Sequence, residues 1–189
     1  VKEYHMFSDT EEAKDFAIET AVHMRLHHPN VVQLFGVCEE PLCTVTEFME
    51  KGSFFDLLHD PQQRQTVIGS LRTRRRVALD IARGMAYLHS QNVLHRDLKS
   101  LNVLLNASGV AKVCDFGQSR AKSEKTMTVG QGTAAWMAPE VFQSGNYNEK
   151  WDIYSYGIIL WELVDGGESA PFAEFGFAHQ IQDAVTNGA

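Results

Sequence analysis

His95-Arg96-Asp97-Leu98-Lys99-Ser100-Leu101-Asn102 is the stretch on which the reading of this chain turns. It crowds cations, a carboxylate and an amide into a segment bounded by apolar residues, so the flanking runs place it in a loop rather than inside an element. On its C-terminal side Val103 to Leu105 and Ala111 to Cys114 read as two short strands joined by Asn106-Ala107-Ser108-Gly109. On its N-terminal side Val77, Ile81, Met85 and Leu88 recur at helical period, predicting a helix over 71–88 with Arg74, Arg75, Asp80 and Arg83 on its other faces. Residues 115–140 lack periodicity and are rich in Ser, Thr, Gly and Lys; a loop of that length is usually functional or mobile. Helical character returns from Lys150 to Val164 and from Phe175 to Val185.

The chain upstream of Glu47 is built differently. Ser8 with Glu11 fits a capping box, and the helix it opens runs to His28-Pro29. Val31 to Val37 and Leu42 to Phe48 follow as a hairpin about Glu39-Glu40-Pro41. This shift from strand-rich to helix-rich sequence predicts two lobes. With 189 residues, 44% hydrophobic and 22% charged, the chain has the apolar material for two lobes sharing a cleft. A net charge of -7 argues against nucleic-acid binding, which needs clustered Lys and Arg. The longest apolar run, Tyr154 to Val164, is broken by Gly157 and Glu162 and is short of the ~20 residues of a membrane helix. Three cysteines, Cys38, Cys43 and Cys114, make no disulfide framework and favour a reducing compartment.

The segment from His95 to Asn102 resembles the H-R-D-L-x-x-x-N catalytic loop of protein kinases, Asp115-Phe116-Gly117 their D-F-G motif, and Gly132 to Glu140 the docking segment ending in A-P-E. The resemblance implies phosphoryl transfer from ATP with Mg2+ to a protein substrate. Asp97 is then the carboxylate that accepts the hydroxyl proton, and Lys99 the cation beside the phosphate in flight. Asn102 and Asp115 are the metal ligands, and Thr133 bonds Asp97 and Lys99. Val1-Lys2 matches the tail of the V-A-I-K strand, so Lys2 is expected to hold the α- and β-phosphates and to pair with Glu19. Thr46-Glu47-Phe48-Met49 falls where kinases join their lobes, with Thr46 guarding the inner pocket and backbone groups of Glu47 and Met49 facing adenine. Arg96 is expected to receive a phosphate from Ser123, Thr126 or Thr128 when the loop is phosphorylated.

The fold implied is α+β and bilobal: a partial small β-rich lobe with one helix (1–47), a hinge (48–52) and a partial, mostly helical large lobe (53–189). Lys99-Ser100 and Thr133-Ala134-Ala135-Trp136 favour serine and threonine over tyrosine, and the mixture of K-S-x-N, G-T-x-x-W-M-A-P-E and Asp152-Ile153-Tyr154-Ser155-Tyr156-Gly157 is most similar to the tyrosine-kinase-like group of serine/threonine kinases. No glycine-rich loop precedes Lys2, and the chain stops before the arginine that usually pairs with the A-P-E glutamate, Glu140, so both ends of the domain are expected outside it. An isolated fragment is then expected to be unstable and poorly active. The alternative reading is a catalytically impaired kinase-fold interaction module; the presence of Lys2, Glu19, Asp97, Asn102 and Asp115 weighs against it. A protein of this kind is expected in the cytoplasm or on the cytoplasmic face of a membrane-anchored parent, with no membrane contact from this segment. His23 stands where the family has an apolar residue, and is expected to pack if its nitrogens find partners; His23, His27 and His28 lack metal-site spacing.

Overall fold

The computed structural model describes residues 1–3, 10–65, 69–115, 134–142 and 148–188, with the side chains of residues 10–12, 15 and 19 excepted. Lys2–Glu3 (β1) leads to the helix Thr10–His23 (α1), and Leu34–Glu39 (β2) and Leu42–Thr46 (β3) form the expected hairpin. The three strands make an antiparallel sheet in the order β1-β3-β2. The expected capping box at Ser8 and Glu11 lies outside the described residues.

β2 begins at Leu34, later than the apolar run at Val31 suggests. Val31 and Val32 are occupied elsewhere: the Val32 N–H donates to the Val113 carbonyl at 2.9 Å, and the Val113 N–H to the Asn30 carbonyl at 2.9 Å. Their strand-like residues extend a different sheet, and periodicity alone could not say which. Asn30 adds a buried side-chain bond from Nδ2 to the Ala111 carbonyl at 3.0 Å. Residues 30–32 thereby join the two lobes.

Gly52–Ser53 (β4), Val103–Leu105 (β5) and Ala111–Val113 (β6) form a second antiparallel sheet. Ser53 caps the short helix Phe54–His59 (α2): its Oγ accepts from the Asp56 N–H at 3.0 Å and donates to Asp56 Oδ2 at 2.6 Å. Leu71–Ser90 (α3) starts at Ser70, whose Oγ accepts from the Thr73 N–H at 3.1 Å. Its stripe of Val77, Ile81, Met85 and Leu88 is buried with Phe54, Leu57, Leu58, Val103 and Val113 in one core. Each large side chain so buried contributes about 2 kcal/mol. Two arginines of α3 bond neighbouring segments, Arg76 donating to the Gly109 carbonyl at 2.8 Å and Arg74 to that of Val164 at 3.3 Å.

Glu149–Asp165 (α4) is the apolar helix, capped by Asn148 and ended by Gly166 at φ 79°, a left-handed position that suits glycine. Its buried face carries Trp151, Asp152, Ser155, Ile159, Glu162 and Leu163. Ala178–Thr186 (α5) closes the described chain and packs Ile181 and Val185 into the same core.

Candidate active site

The loop between α3 and β5 is held from below by one buried carboxylate. Asp152, 3% exposed, accepts from the His95 N–H at Oδ2 and the Arg96 N–H at Oδ1, both at 2.9 Å, and from His89 Nε2 at 2.8 Å. Burial pushes the Asp152 pKa up, but the His89 bond, His95 and the two backbone N–H groups outweigh it and hold the carboxyl below its ordinary value. This grip fixes Arg96 at φ 65°, a conformation that costs a non-glycine residue and that the surrounding bonds must impose.

His95 ties the loop to the end of β6. Its fully buried ring donates from Nε2 to the Cys114 carbonyl at 3.0 Å, which leaves Nδ1 to accept from the Asp97 N–H at 3.3 Å. Burial lowers its pKa, and the neutral ring is the form this bonding pattern requires. A second tether runs from the Cys114 N–H to the Asn102 carbonyl at 2.9 Å. Asp97, Lys99, Asn102 and Asp115 are thus gathered at one end of the β5–β6 hairpin.

Within that group Asp97 is clamped on one side only. Its Oδ2 accepts from Lys99 Nζ at 2.8 Å and from Asn102 Nδ2 at 3.1 Å, and its carbonyl from Asn102 Nδ2 at 2.7 Å. Its Oδ1 is buried and has no partner among the described residues. A buried carboxylate oxygen without a donor is costly unless something else supplies the hydrogen. Asn102 has committed its amide N–H groups to Asp97, which leaves its Oδ1 as the atom available to a cation.

Asp115 sits at φ 56° directly after β6. Its Oδ1 lies 2.9 Å from Lys2 Nζ, so residues 113 positions apart meet across the lobes. Both are about half exposed, and an open ion pair of this kind contributes little stability. The Glu19 backbone lies in α1; its side chain, the expected partner of Lys2, lies outside the described atoms.

The joining segment follows β3. Thr46 is its last residue and pairs with Leu34. The Glu47 N–H donates to the Gln33 carbonyl at 2.9 Å, and the Met49 carbonyl accepts from the Gly52 N–H at 3.1 Å. The Glu47 carbonyl and the Met49 N–H are therefore the groups these residues can offer a ligand. The Glu47 side chain has a role that sequence did not suggest: it accepts from Lys112 Nζ at 2.7 and 2.8 Å and from the Gln33 N–H at 2.7 Å. Met49 is buried with Val32 and Cys114, and Leu104 packs against them. This apolar cluster lies between the joining segment and the β5–β6 hairpin. His23 packs as expected, its Nε2 donating to the Val32 carbonyl at 2.8 Å, and burial lowers its pKa.

A second buried carboxylate links the loop to the segment after residue 133. Glu162, 1% exposed, accepts from Ser100 Oγ at 2.6 Å on Oε1 and from Trp136 Nε1 at 2.9 Å on Oε2. Ser155 Oγ donates to the Trp136 carbonyl at 2.7 Å. Burial raises the Glu162 pKa against the lowering effect of its two donors. Besides the role of the Glu47 side chain, sequence reasoning missed those of Asp152 and Glu162. The available signal was their position, since acidic residues on the buried face of an apolar helix are rare unless bonded.

Thr133, Ser123, Thr126, Thr128 and Phe116 lie outside the described residues. Among the described residues no group of three or more His, Cys, Asp and Glu is placed to hold a metal. His27 Nδ1 bonds Gln33 Oε1 at 2.9 Å, and His28 stacks on Tyr87 at 4.8 Å. A cavity of about 260 Å³ opens beside Ile158, Trp161, Pro171 and Phe172, and none of the residues singled out above lines it. No helix among the described residues is long and apolar enough to cross a membrane.

Residues 1–189 match the family model described as protein tyrosine and serine/threonine kinase. The serine/threonine-protein kinase STY46 of Arabidopsis thaliana is 47% identical over 161 residues, 84% of this chain and 27% of that protein. Mitogen-activated protein kinase kinase kinase 7 of Homo sapiens is 44% identical over 184 residues, 94% of this chain and 29% of its own length. A probable serine/threonine-protein kinase of Dictyostelium discoideum is 43% identical over 156 residues, 81% of this chain and 17% of that protein. The chain therefore spans less than a third of the length of these curated relatives. It belongs to the protein kinase family, in the tyrosine-kinase-like group.

Proposed function

We propose that the protein carrying this chain transfers the γ-phosphate of ATP to serine and threonine hydroxyls of protein substrates. The observation that carries the reading is Asp97. Its Oδ2 is held by Lys99 and Asn102 while its buried Oδ1 has no donor among the described residues, so that oxygen is poised to take a hydroxyl proton. The substrate hydroxyl is that donor: Asp97 orients its oxygen and accepts its proton as the bond to phosphorus forms. Lys99, 2.8 Å from Asp97, supplies positive charge beside the group being transferred. The divalent cation, for which we propose Mg2+, is held by Asn102 Oδ1 and the Asp115 carboxylate and, when bound, neutralises phosphate charge.

Lys2 holds the α- and β-phosphates and pairs with Glu19. The Glu47 carbonyl and Met49 N–H receive the adenine edge over the apolar cluster of Val32, Met49, Cys114 and Leu104, with Thr46 beside the inner pocket. Thr133 bonds Asp97 and Lys99 when substrate docks. Phosphate on Ser123, Thr126 or Thr128 pairs with Arg96. Residues 1–47 and 53–189 act as two lobes about a hinge at 48–52. The acidic balance of the chain supports a protein rather than a nucleic-acid substrate, and dependence on ATP and free thiols supports a reducing cytoplasmic setting without membrane contact from this segment.

The test is ATP-dependent phosphorylation of a generic basic protein by the full-length parent and its Asp97→Asn variant. The parent is expected to form phosphoserine or phosphothreonine, and the variant to lose at least about 10²-fold while still binding Mg2+ and ATP. No transfer by a folded, nucleotide-binding parent would replace this reading with that of an interaction module.

A further inference from the structure

Cys38 and Cys43 are register partners across the β2–β3 ladder. Residues directly opposite in an antiparallel pair have Cα atoms about 4.5–5.5 Å apart and side chains on the same face. That separation lies inside the ~4.4–6.8 Å span of protein disulfides. Both cysteines are free. Cys38 is half-buried, with its Sγ 3.3 Å from the Glu40 carbonyl oxygen, whereas Cys43 is buried on the central strand. The third cysteine, Cys114, is buried at the end of β6 with its Sγ on the Asn102 carbonyl at 3.4 Å.

We propose that Cys38 and Cys43 form an oxidation site at which a peroxide converts the two thiols into a cross-strand disulfide within one chain. The accessible Cys38 sulfur, as thiolate, attacks a peroxide oxygen; the O–O bond breaks, Cys38 becomes a sulfenic acid, and the released hydroxide takes up a proton as water. The Cys43 sulfur then attacks the Cys38 sulfur, the S–O bond breaks, and the departing hydroxide takes the Cys43 proton as a second water. Two thiols lose two electrons and two protons, and one hydrogen peroxide becomes two waters. Burial and the neighbouring Cys38 thiol raise the Cys43 pKa, which leaves the first attack on the peroxide to Cys38. A reversible disulfide of this kind is the form in which cystines occur in reducing compartments. Cys43 also pairs with Glu3 of β1, and the next residue, Thr44, with Lys2, so the cross-link is set in the strand beside the one that carries Lys2. The chemistry does not depend on the phosphoryl-transfer reading.

The test is treatment of the full chain, folded, with equimolar hydrogen peroxide. Unfolding, alkylation with iodoacetamide and non-reducing digestion with a protease that cuts after Glu39 follow. Expected are peptides joined through Cys38 and Cys43, alkylation of Cys114 alone, and return of all three alkylated cysteines after dithiothreitol. Cys43→Ser is expected to leave a Cys38 sulfenic acid trapped by dimedone, and Cys38→Ser to leave Cys43 and Cys114 fully alkylated. Alkylation of all three cysteines in the oxidised parent, a sulfinic acid at Cys38 beside an alkylated Cys43, or a link between two chains would each overturn the proposal.

Discussion

At the residue scale two buried carboxylates do different work from Asp97, whose Oδ1 has no partner among the described residues. Asp152 accepts three donors and shapes the loop backbone; Glu162 accepts two and joins Ser100 to Trp136. An amide in place of either keeps one acceptor and turns an NH2 group towards an existing donor. Asp152→Asn is therefore expected to cost about 3 kcal/mol, from charged hydrogen bonds each worth about 1.5–3. Glu162→Gln is expected to cost about 1–3 kcal/mol. At about 2–4 °C per kcal/mol for a domain of this size, thermal melting separates the two, and Asp152→Asn should melt lower. The candidate site residues Asp97, Lys99 and Asn102 could be proposed from sequence because their types and spacing form a pattern within one short loop. Their supports could not, because a bond spanning 57 or 62 residues leaves no local pattern.

At the element scale sequence found the main helices and hairpins, because each carries its own period and its own stop. It placed α3 over 71–88 against an observed Leu71–Ser90, and α4 over 150–164 against Glu149–Asp165. It did not find β4, whose two residues are a strand only because β5 offers a partner. Nor did it explain Gly84, which sits inside α3 at a cost of ~1 kcal/mol relative to alanine. There α3 crosses the junction between the lobes, and a Cβ on Gly84 would collide with the Asn30 carbonyl oxygen and press on Val113 at 3.2 Å. Those atoms belong to the ladder of residues 30–32 on β6, so they cannot yield cheaply. Gly84→Ala is expected to destabilise by about 1–3 kcal/mol despite its better helix propensity. Urea unfolding read against Ser70→Ala, where loss of an ordinary cap costs about 1 kcal/mol, calibrates the result; a Gly84→Ala chain more stable than the parent would show that the junction has room.

At the scale of the whole molecule the joint between the lobes and the loop beneath it both rest on neutral histidines. His23 bonds the Val32 carbonyl and His95 that of Cys114, and burial lowers both pKa values below the ordinary 6.5. As pH falls below about 6.5 the unfolded chain takes up protons at these positions while the folded chain does not. Their contribution to stability therefore declines with acidification, by at most about 1.4 kcal/mol per pH unit for each. Glu162 acts in the opposite sense: its folded pKa is raised above 4.5, so acidification through that value protonates the folded state first and offsets part of the loss. Asp152, held below 3.8, adds its own loss only at still lower pH. Urea midpoints at pH 7.5, 6.5 and 5.5 should consequently fall in the parent. They should fall less steeply in His23→Leu, whatever its absolute midpoint, and when the series is carried on to pH 4.5 they should fall more steeply in Glu162→Gln, which has lost the group that titrates in opposition. A Glu162→Gln slope shallower than the parent's would mean that the Ser100 and Trp136 bonds prevail over burial, and that Glu162 holds the loop and the docking segment together as a fully ionised carboxylate.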